Sequence, residues 1–405
     1  MTNDYDVLIV GGGLAGGSLA LALRSSGLNV AVVEAISDEQ RQSSAASNRA
    51  LALAHGSKWL LEQLGVWSDV RKRAIPIKTI HISDRGHFGK TRLLAEEEGV
   101  DALGYVAVAR ILEDSISKGL TTSNIERICP ARLIGMQTGS ESVCVSLKKG
   151  KECLNLNVGL VVGADGGNST VRRLANISEY TRDYCQTAII AVIKPEVSPN
   201  FTAYERFTAS GPLALLPTED GCYSVVWTQK SEDAESIATL SDAEFNQELQ
   251  TAFGHWLGEL SYCGSRGAFP LELVQADSMI SDRTVLVGNA VHQLHPIAGQ
   301  GLNLGLRDIA VLAEMLIQDC GADKDPGADQ LLHRFAKSRK EDHDRVIGFT
   351  DGLVSIFSND WVPLSIARNL GLFGLDCLPW AKHAVARYAM GLGSRMPRLI
   401  PLRSL

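Results

Sequence analysis

Residues 6–35 read DVLIVGGGLAGGSLALALRSSGLNVAVVEA, and no other segment limits the fold as much. DVLIV is short, apolar and rich in β-branched residues, the pattern of a strand buried on both faces. A glycine turn follows, then a helical run stopped at Gly27, then a second strand over 29–35. Strands joined through a helix are parallel, so the segment predicts a βαβ unit. Gly11, Gly13 and Gly16 stand in GxGxxG spacing at the strand-to-helix turn. Gly11 permits the turn, Gly13 lets the backbone approach a pyrophosphate, and Gly16 lets helix and strand pack closely. The helix opens at Leu14 and Ala15, where free N–H groups and the helix dipole favour phosphate charge. Glu34 closes the second strand, where an acid accepts hydrogen bonds from an adenosine ribose and favours FAD or NAD over a 2′-phosphorylated nucleotide.

Two further glycine turns lie far along the chain. LVVGADGGNSTVRR (160–173) repeats the order strand, turn, helix start, with Asp165 in the turn. VLVGNAVHQLHPIAGQGLNLGLRD (285–308) begins as a buried strand and ends as a helix with its apolar face on Leu302, Leu306, Ile309, Leu312, Ala313 and Leu316. The free N–H groups of that helix face whatever the turn approaches. In a flavin enzyme such a helix points at the ring edge that becomes negative on reduction. One extended FAD would then run from Gly11–Gly16 to a ring held around Gly299, Gln300, Gly301, Leu302 and Asn303.

Between the turns, helices are expected near 55–65 and 110–119. Strands are expected at 78–84, 131–136, 142–148 and 156–163. From about 183 to 275 the strands crowd together at 186–194, 201–208, 211–217 and 222–229, an antiparallel pattern carrying one helix at 242–253. After 346 the reading is helical, broken at Pro363, Pro379 and Pro397.

The three turns together resemble the class A flavin-dependent aromatic hydroxylases with the para-hydroxybenzoate hydroxylase fold, over nearly the whole chain. HISDRGHFG (81–89), ERFTASGPLALLP (205–217), SVVW (224–227) and 287–308 resemble most closely the 2-polyprenyl-6-methoxyphenol hydroxylase branch of bacterial ubiquinone biosynthesis. The implied fold class is α/β: a discontinuous Rossmann-like FAD-binding domain (1–80, 100–182, 276–345), an inserted antiparallel-sheet substrate domain (81–99, 183–275) and a C-terminal helical segment (346–405). The implied reaction is hydroxylation of a polyprenylated methoxyphenol para to its hydroxyl, with NAD(P)H and O₂, through a flavin C4a-hydroperoxide. A sibling hydroxylase acting at another ring position, and a flavin-containing structural subunit of the biosynthetic complex, are the alternatives. NAD(P)H is expected as a transient co-substrate, because only one complete GxGxxG is present.

The resemblance also assigns residues. Arg49 and Arg110 would lie near the FAD diphosphate, and Asp165 would be linked to FAD and the nicotinamide cofactor. Gly288 and Asn289 open the third turn, where the wider family has Gly-Asp and its Asp holds the ribityl chain. Asn accepts through its amide oxygen but carries no charge. Pro296 would border the reactive edge of the flavin. His292 and His295 have the ordinary pKa range of a base for phenol deprotonation. Arg206, Leu215, Pro217 and Trp227 are expected in the substrate pocket.

Composition closes off other classes. The net charge of −7 argues against nucleic-acid binding, and 405 residues fit two or three domains. The eight cysteines form no CxxC pair, so no metal site is expected and a reducing cytoplasm is. From residue 351 onward Arg368, Lys382, Arg387, Arg395, Arg398 and Arg403 outnumber Asp351, Asp360 and Asp376. A basic, apolar tail on an acidic body is a candidate surface for peripheral contact with the inner face of a membrane, or for lipid-binding and other ubiquinone-biosynthesis proteins.

Overall fold

The computed structural model describes residues 3–264, 266–319, 325–357, 362–393 and 397. Strand Tyr5–Val10 stands inside an eight-stranded sheet, in parallel with Val30–Val33 on one side and Glu152–Gly163 on the other. Glu126–Ile128 and Thr284–Leu286 extend the parallel set outward, and Arg132–Thr138 with Val143–Lys149 forms an antiparallel meander on Glu152–Gly163. The first strand is buried on both faces. Val7 and Ile9 join the core that includes helices Leu14–Leu23, Ala109–Thr121 and Gln300–Asp319, while Leu8 and Val10 pack with Val143 and Val145 of the meander. That alternation is the period-2 geometry of a strand. Burial of each such side chain contributes about 1.5–3 kcal/mol. Helix Leu14–Leu23 is apolar all round, and a Cβ on Gly17 would stand 2.4 Å from Ile116 Cγ2 of the neighbouring helix.

A nine-stranded sheet orders His292–Gln293, Gly267–Ala276, Glu179–Pro195, Tyr223–Lys230, Gly211–Pro217, Thr202–Thr208, Thr79–Asp84 and Lys90–Leu94, with Leu260–Tyr262 also paired to Glu179–Pro195. Its pairs are antiparallel except Thr202–Thr208 with Thr79–Asp84. Leu213, Leu215, Tyr223, Val225 and Trp227 cover one face and pack on Phe245, Leu249 and Phe253 of helix Asp242–Phe253. A capping box of Ser241 and Glu244 starts that helix, and Gly254, at φ +92, ends it. A small sheet of Ala50–Ala54, Gly104–Val108 and Ile75–Ile77 was not expected as a unit. Through Ile77 and Val106 it packs on Ala203 of the large sheet.

The expected boundary at 182/183 runs through Glu179–Pro195, and the one at 345/346 runs through the helix Asp329–Phe357. Helices Val362–Cys377 and Pro379–Ala389 follow, with Pro363 and Pro379 in their first turns, where a missing N–H is tolerated. Buried Asp84 receives hydrogen bonds from Arg368 Nε and Asn369 Nδ2, each at 2.8 Å, which fasten Val362–Cys377 to the Thr79–Leu94 hairpin. Arg395, Arg398 and Arg403 lie outside the described residues.

Candidate active site

The three glycine turns meet. Gly11 has φ +101, and a Cβ there would fall 2.4 Å from Ala164 O, so the first turn lies directly on the second. A Cβ on Gly288, at φ +61, would stand 3.3 Å from Ala15 Cβ, so the third turn lies on the first. Gly299, at φ +60, approaches Ala52 to within 3.1 Å in the same sense. Segments separated by most of the chain thus form one continuous floor.

Two places on this floor are open. A Cβ on Gly13 or Gly301 would meet nothing within 4 Å. Helix Leu14–Leu23 has no side-chain cap, and neither it nor Gln300–Asp319 carries an acidic residue in its first turn. Helix N-terminal N–H groups beside open space suit negative charge, such as a pyrophosphate or a reduced flavin ring would bring. Glu34 Oε2 accepts from Gly12 N–H at 2.8 Å and pairs with Arg41 Nη2 at 2.9 Å, while Oε1 accepts from Ile36 N–H. A carboxylate offers about four acceptor positions, so one is left for a ribose hydroxyl. Beyond this pair a cleft of about 410 Å³ opens between Asp38, Arg41, Arg110, Glu113 and Lys118. Arg110 donates to Asn48 Oδ1, and Ala109 N–H donates to Arg49 O at 2.9 Å, so Arg49 and Arg110 sit side by side and both are exposed. These residues fit an extended FAD.

Asp165 has work inside its own turn. It accepts from Ser169 Oγ at 2.5 Å and from the N–H groups of Thr170 and Val171, capping the helix Thr170–Leu174. Asn303, expected at the flavin ring, is 2% exposed. Its Oδ1 accepts from Ala54 N–H at 2.9 Å and Ser57 Oγ at 2.7 Å, and its Nδ2 donates to Ala52 O at 3.0 Å and Gly299 O at 2.7 Å. All four side-chain bonds are internal, so what Asn303 can offer a ligand is backbone. Gln300 is buried, Gly301 and Leu302 are half-buried, and Asn289 and Pro296 are exposed beside the open floor.

The histidines are poor bases. His295 is 1% exposed, and burial lowers its pKa to about 4. Its Nδ1 accepts from Ile297 N–H, which shapes the turn. His292 is fully buried, and burial together with His343 takes its pKa to about 3. His292, Asp308 and His343 hold candidate metal-ligand atoms within 4.8 Å of one another. Arg339 Nε already pairs with Asp308 at 2.8 Å, and His343 Nε2 lies 2.8 Å from the same oxygen. Burial pushes the Asp308 carboxyl up, but His343 and Arg339 outweigh it and hold the group below the usual carboxylate range. Arg339 and Arg307 also pair with Asp342, so the cluster is a balanced ion network.

The expected pocket residues need correction. Arg206 pairs across the sheet with Leu213, Leu213 with Trp227, and Leu215 with Val225. Residues opposite one another share a face, and this face packs on the helix Asp242–Phe253. Arg206 donates to Ala252 O of that helix, Trp227 is 3% exposed, and Pro217, opposite Tyr223, follows the same alternation. The face turned to the third glycine turn carries Ala203, Glu205, Phe207, Ala214 and Leu216 instead. Phe207 stacks on Phe357 in a cluster that includes Ile297, and Leu216 packs in the cluster of Ala203, Val106 and Ala50. Glu205, an ionisable residue, stands midway along this face.

Known proteins resemble this chain over nearly its whole length. Over 404 residues the chain is 36% identical to ubiquinone hydroxylase UbiL of Rhodospirillum rubrum, covering 98% of this chain and 92% of that protein. It is 30% identical over 401 residues to 3-demethoxyubiquinol 3-hydroxylase of Escherichia coli, covering 97% of this chain and 100% of the relative. The structure of p-nitrophenol 4-monooxygenase PnpA from Pseudomonas putida DLL-E4 superposes with a TM-score of 0.79 over 98% of this chain and all of that one; at 18% identity it bears on the fold alone. The α/β architecture expected from the three turns is therefore the architecture found. With glycine turns built for a dinucleotide and a match across residues 4–350, the chain belongs to the FAD binding domain family.

Proposed function

We propose that this chain, an FAD-dependent aromatic monooxygenase, hydroxylates a polyprenylated methoxyphenol para to its hydroxyl in ubiquinone biosynthesis. The observation that carries the reading is the floor of three glycine turns lying opposite the Glu205–Phe207 face of the large sheet. When bound, FAD supplies hydride acceptance from NAD(P)H and the activation of O₂. The chain supplies placement. The backbone at Gly13–Ala15 holds the pyrophosphate, Glu34 the ribose, Arg49 and Arg110 the flank of the diphosphate, and the backbone of 299–303 the ring. Phe207, Ile297 and Leu216 give the aromatic substrate an apolar wall that excludes water. The sheet with strands 79–94 and 179–276 is the substrate module, and the remainder of residues 4–345 the FAD module.

The polyprenyl tail of such a substrate lives in a bilayer. No helix among the described residues is long and apolar enough to cross a membrane. Helix Val362–Cys377 instead presents Ile366, Leu370 and Phe373 outward, each 56% exposed, with Phe88 at 64% beside Phe373 and Trp380 at 73%. Exposed Arg85, Lys90 and Arg92 flank them. A row of apolar side chains edged by cations suits peripheral contact with an anionic bilayer.

The purified FAD-loaded enzyme should oxidise NAD(P)H faster when a prenylated methoxyphenol is added, and ¹⁸O from O₂ should appear at the para carbon. Label at another carbon would move the assignment to a sibling ring position, which the Escherichia coli relative's name keeps open. No incorporation would refute the hydroxylase reading.

A further inference from the structure

Glu205 has no counterpart in the scheme above. It lies mid-strand in Thr202–Thr208, opposite Ala214 on one side and Ile82 on the other. Its same-face neighbours along the strand are Ala203 and Phe207, and Phe207, stacked on Phe357, shares a buried cluster with Ile297 of the third glycine turn. The carboxyl is therefore set in an apolar wall facing the candidate ring site. Oε1 is closed to solvent and has no hydrogen-bond partner. Among the described residues no side chain or backbone group bonds either oxygen. The residue as a whole is only half-buried, although its carboxyl is deep among protein atoms. The carboxyl thus lies without a protein partner on the face of the sheet that carries Ala203 and Phe207. Burial raises its pKa to about 7, and no nearby cation offsets the effect.

An unpartnered acid in a β wall is unfavourable, and an apolar residue would pack there without penalty. The placement makes sense if a ligand brings the missing donor. A cation would be a poor choice in so apolar a wall; a neutral O–H suits it. On the reading proposed above, the aromatic head of the substrate is hydrocarbon and ether except for one phenolic O–H, the one donor it has.

We infer that Glu205 is the substrate-binding acid, its Oε2 accepting the hydrogen bond of the phenolic hydroxyl. The inference rests on the proposed function and goes beyond it by fixing which end of the ring is held. If the proton crosses, the phenol O–H bond breaks and an Oε2–H bond forms. The negative charge moves to the phenolate oxygen, and the para carbon becomes richer in electrons. Return of the proton to that oxygen regenerates the carboxylate. The tether also points the para carbon away from the acid.

The test compares 2-geranyl-6-methoxyphenol with its methyl ether, which has no O–H, on wild type, Glu205→Gln and Glu205→Leu, all FAD-loaded. Binding is read from the flavin absorbance change, and coupling from product formed per NAD(P)H consumed. Wild type should prefer the phenol by about 10- to 100-fold, the range of a hydrogen bond to a charged group. Glu205→Leu should bind both ligands alike, and Glu205→Gln should fall between. Both variants should divert NAD(P)H oxidation to H₂O₂. Full FAD content and a melting temperature at or above wild type show that they fold. Unchanged phenol preference in folded variants overturns the assignment of Glu205 while leaving the hydroxylase reading standing. A wild type that neither binds nor hydroxylates the phenol overturns the hydroxylase reading, and the assignment with it.

Discussion

Asn303 ties the third glycine turn to the strand Ala50–Ala54, and removing that tie is the sharpest test of how the ring site is held. Asn303→Leu keeps the side-chain volume, so little cavity forms, but all four hydrogen bonds disappear. Ala54 and Ser57 are 6% and 4% exposed, so water does not readily replace the lost acceptor. The Ser57 hydroxyl can rotate to another partner; the Ala54 N–H and the carbonyls of Ala52 and Gly299 cannot. Three orphaned groups at about 1–3 kcal/mol each, lessened by some rehydration of Gly299, give a loss of about 4 kcal/mol. Ser57→Ala removes one bond and should cost about 1 kcal/mol. Asn303→Asp keeps both acceptor bonds but sets a carboxylate against two carbonyls, and should be no milder than Leu. The first cooperative urea transition, followed by circular dichroism on FAD-free and FAD-loaded protein, measures the loss; FAD retention on gel filtration measures its effect on the site. An Asn303→Leu protein within 1 kcal/mol of wild type would refute the clamp.

Other outcomes follow from the same geometry. Gly16→Ala should prevent a normal fold of the first turn, because its Cβ would stand 1.9 Å from Gly11 O; Gly13→Ala, which meets nothing within 4 Å, should melt like wild type yet lose FAD affinity by isothermal titration. The folded-state pKa of His295, about 4, lies below the unfolded value, so its neutral burial stabilises fully above pH 6.5 and that stability is lost as pH falls toward 4. His295→Leu should therefore narrow its stability gap to wild type by about 2 kcal/mol between pH 7 and pH 5, read from urea midpoints at each pH. Leu370→Asp with Phe373→Asp should abolish co-sedimentation with anionic liposomes while FAD content stays unchanged; equal sedimentation would remove the bilayer role from this helix.

The parts of the fold that read directly from sequence were local. The first βαβ unit and the helix after the third turn announce themselves through glycine placement and hydrophobic period within a few tens of residues. Parity was harder. TAYERFT has mixed residues on both faces, and a shift of one residue moves every side chain to the other side of the sheet. The pocket choices Arg206, Leu215, Pro217 and Trp227 all fell on the helix-packed side for that reason. The three-stranded sheet escaped because its strands are short and pair across 20 to 50 residues of intervening chain. Asp165 and Asn303 stand in motifs that invite a ligand role, but only the fold reveals that their polar atoms already have protein partners.

The central sheet has a consequence for how the protein is made. Tyr5–Val10 is synthesised before its neighbour Glu152–Gly163, and the flanking Thr284–Leu286 emerges later still. At roughly 5–20 residues per second, the opening strand waits on the order of 10 s for its second partner and longer for the sheet to widen. During that interval a largely apolar ribbon has one unprotected edge, a ready template for wrong pairing. Newly synthesised chains should thus gain from chaperones until Thr284–Leu286 has emerged, and the dinucleotide can be held only after the third glycine turn has been made.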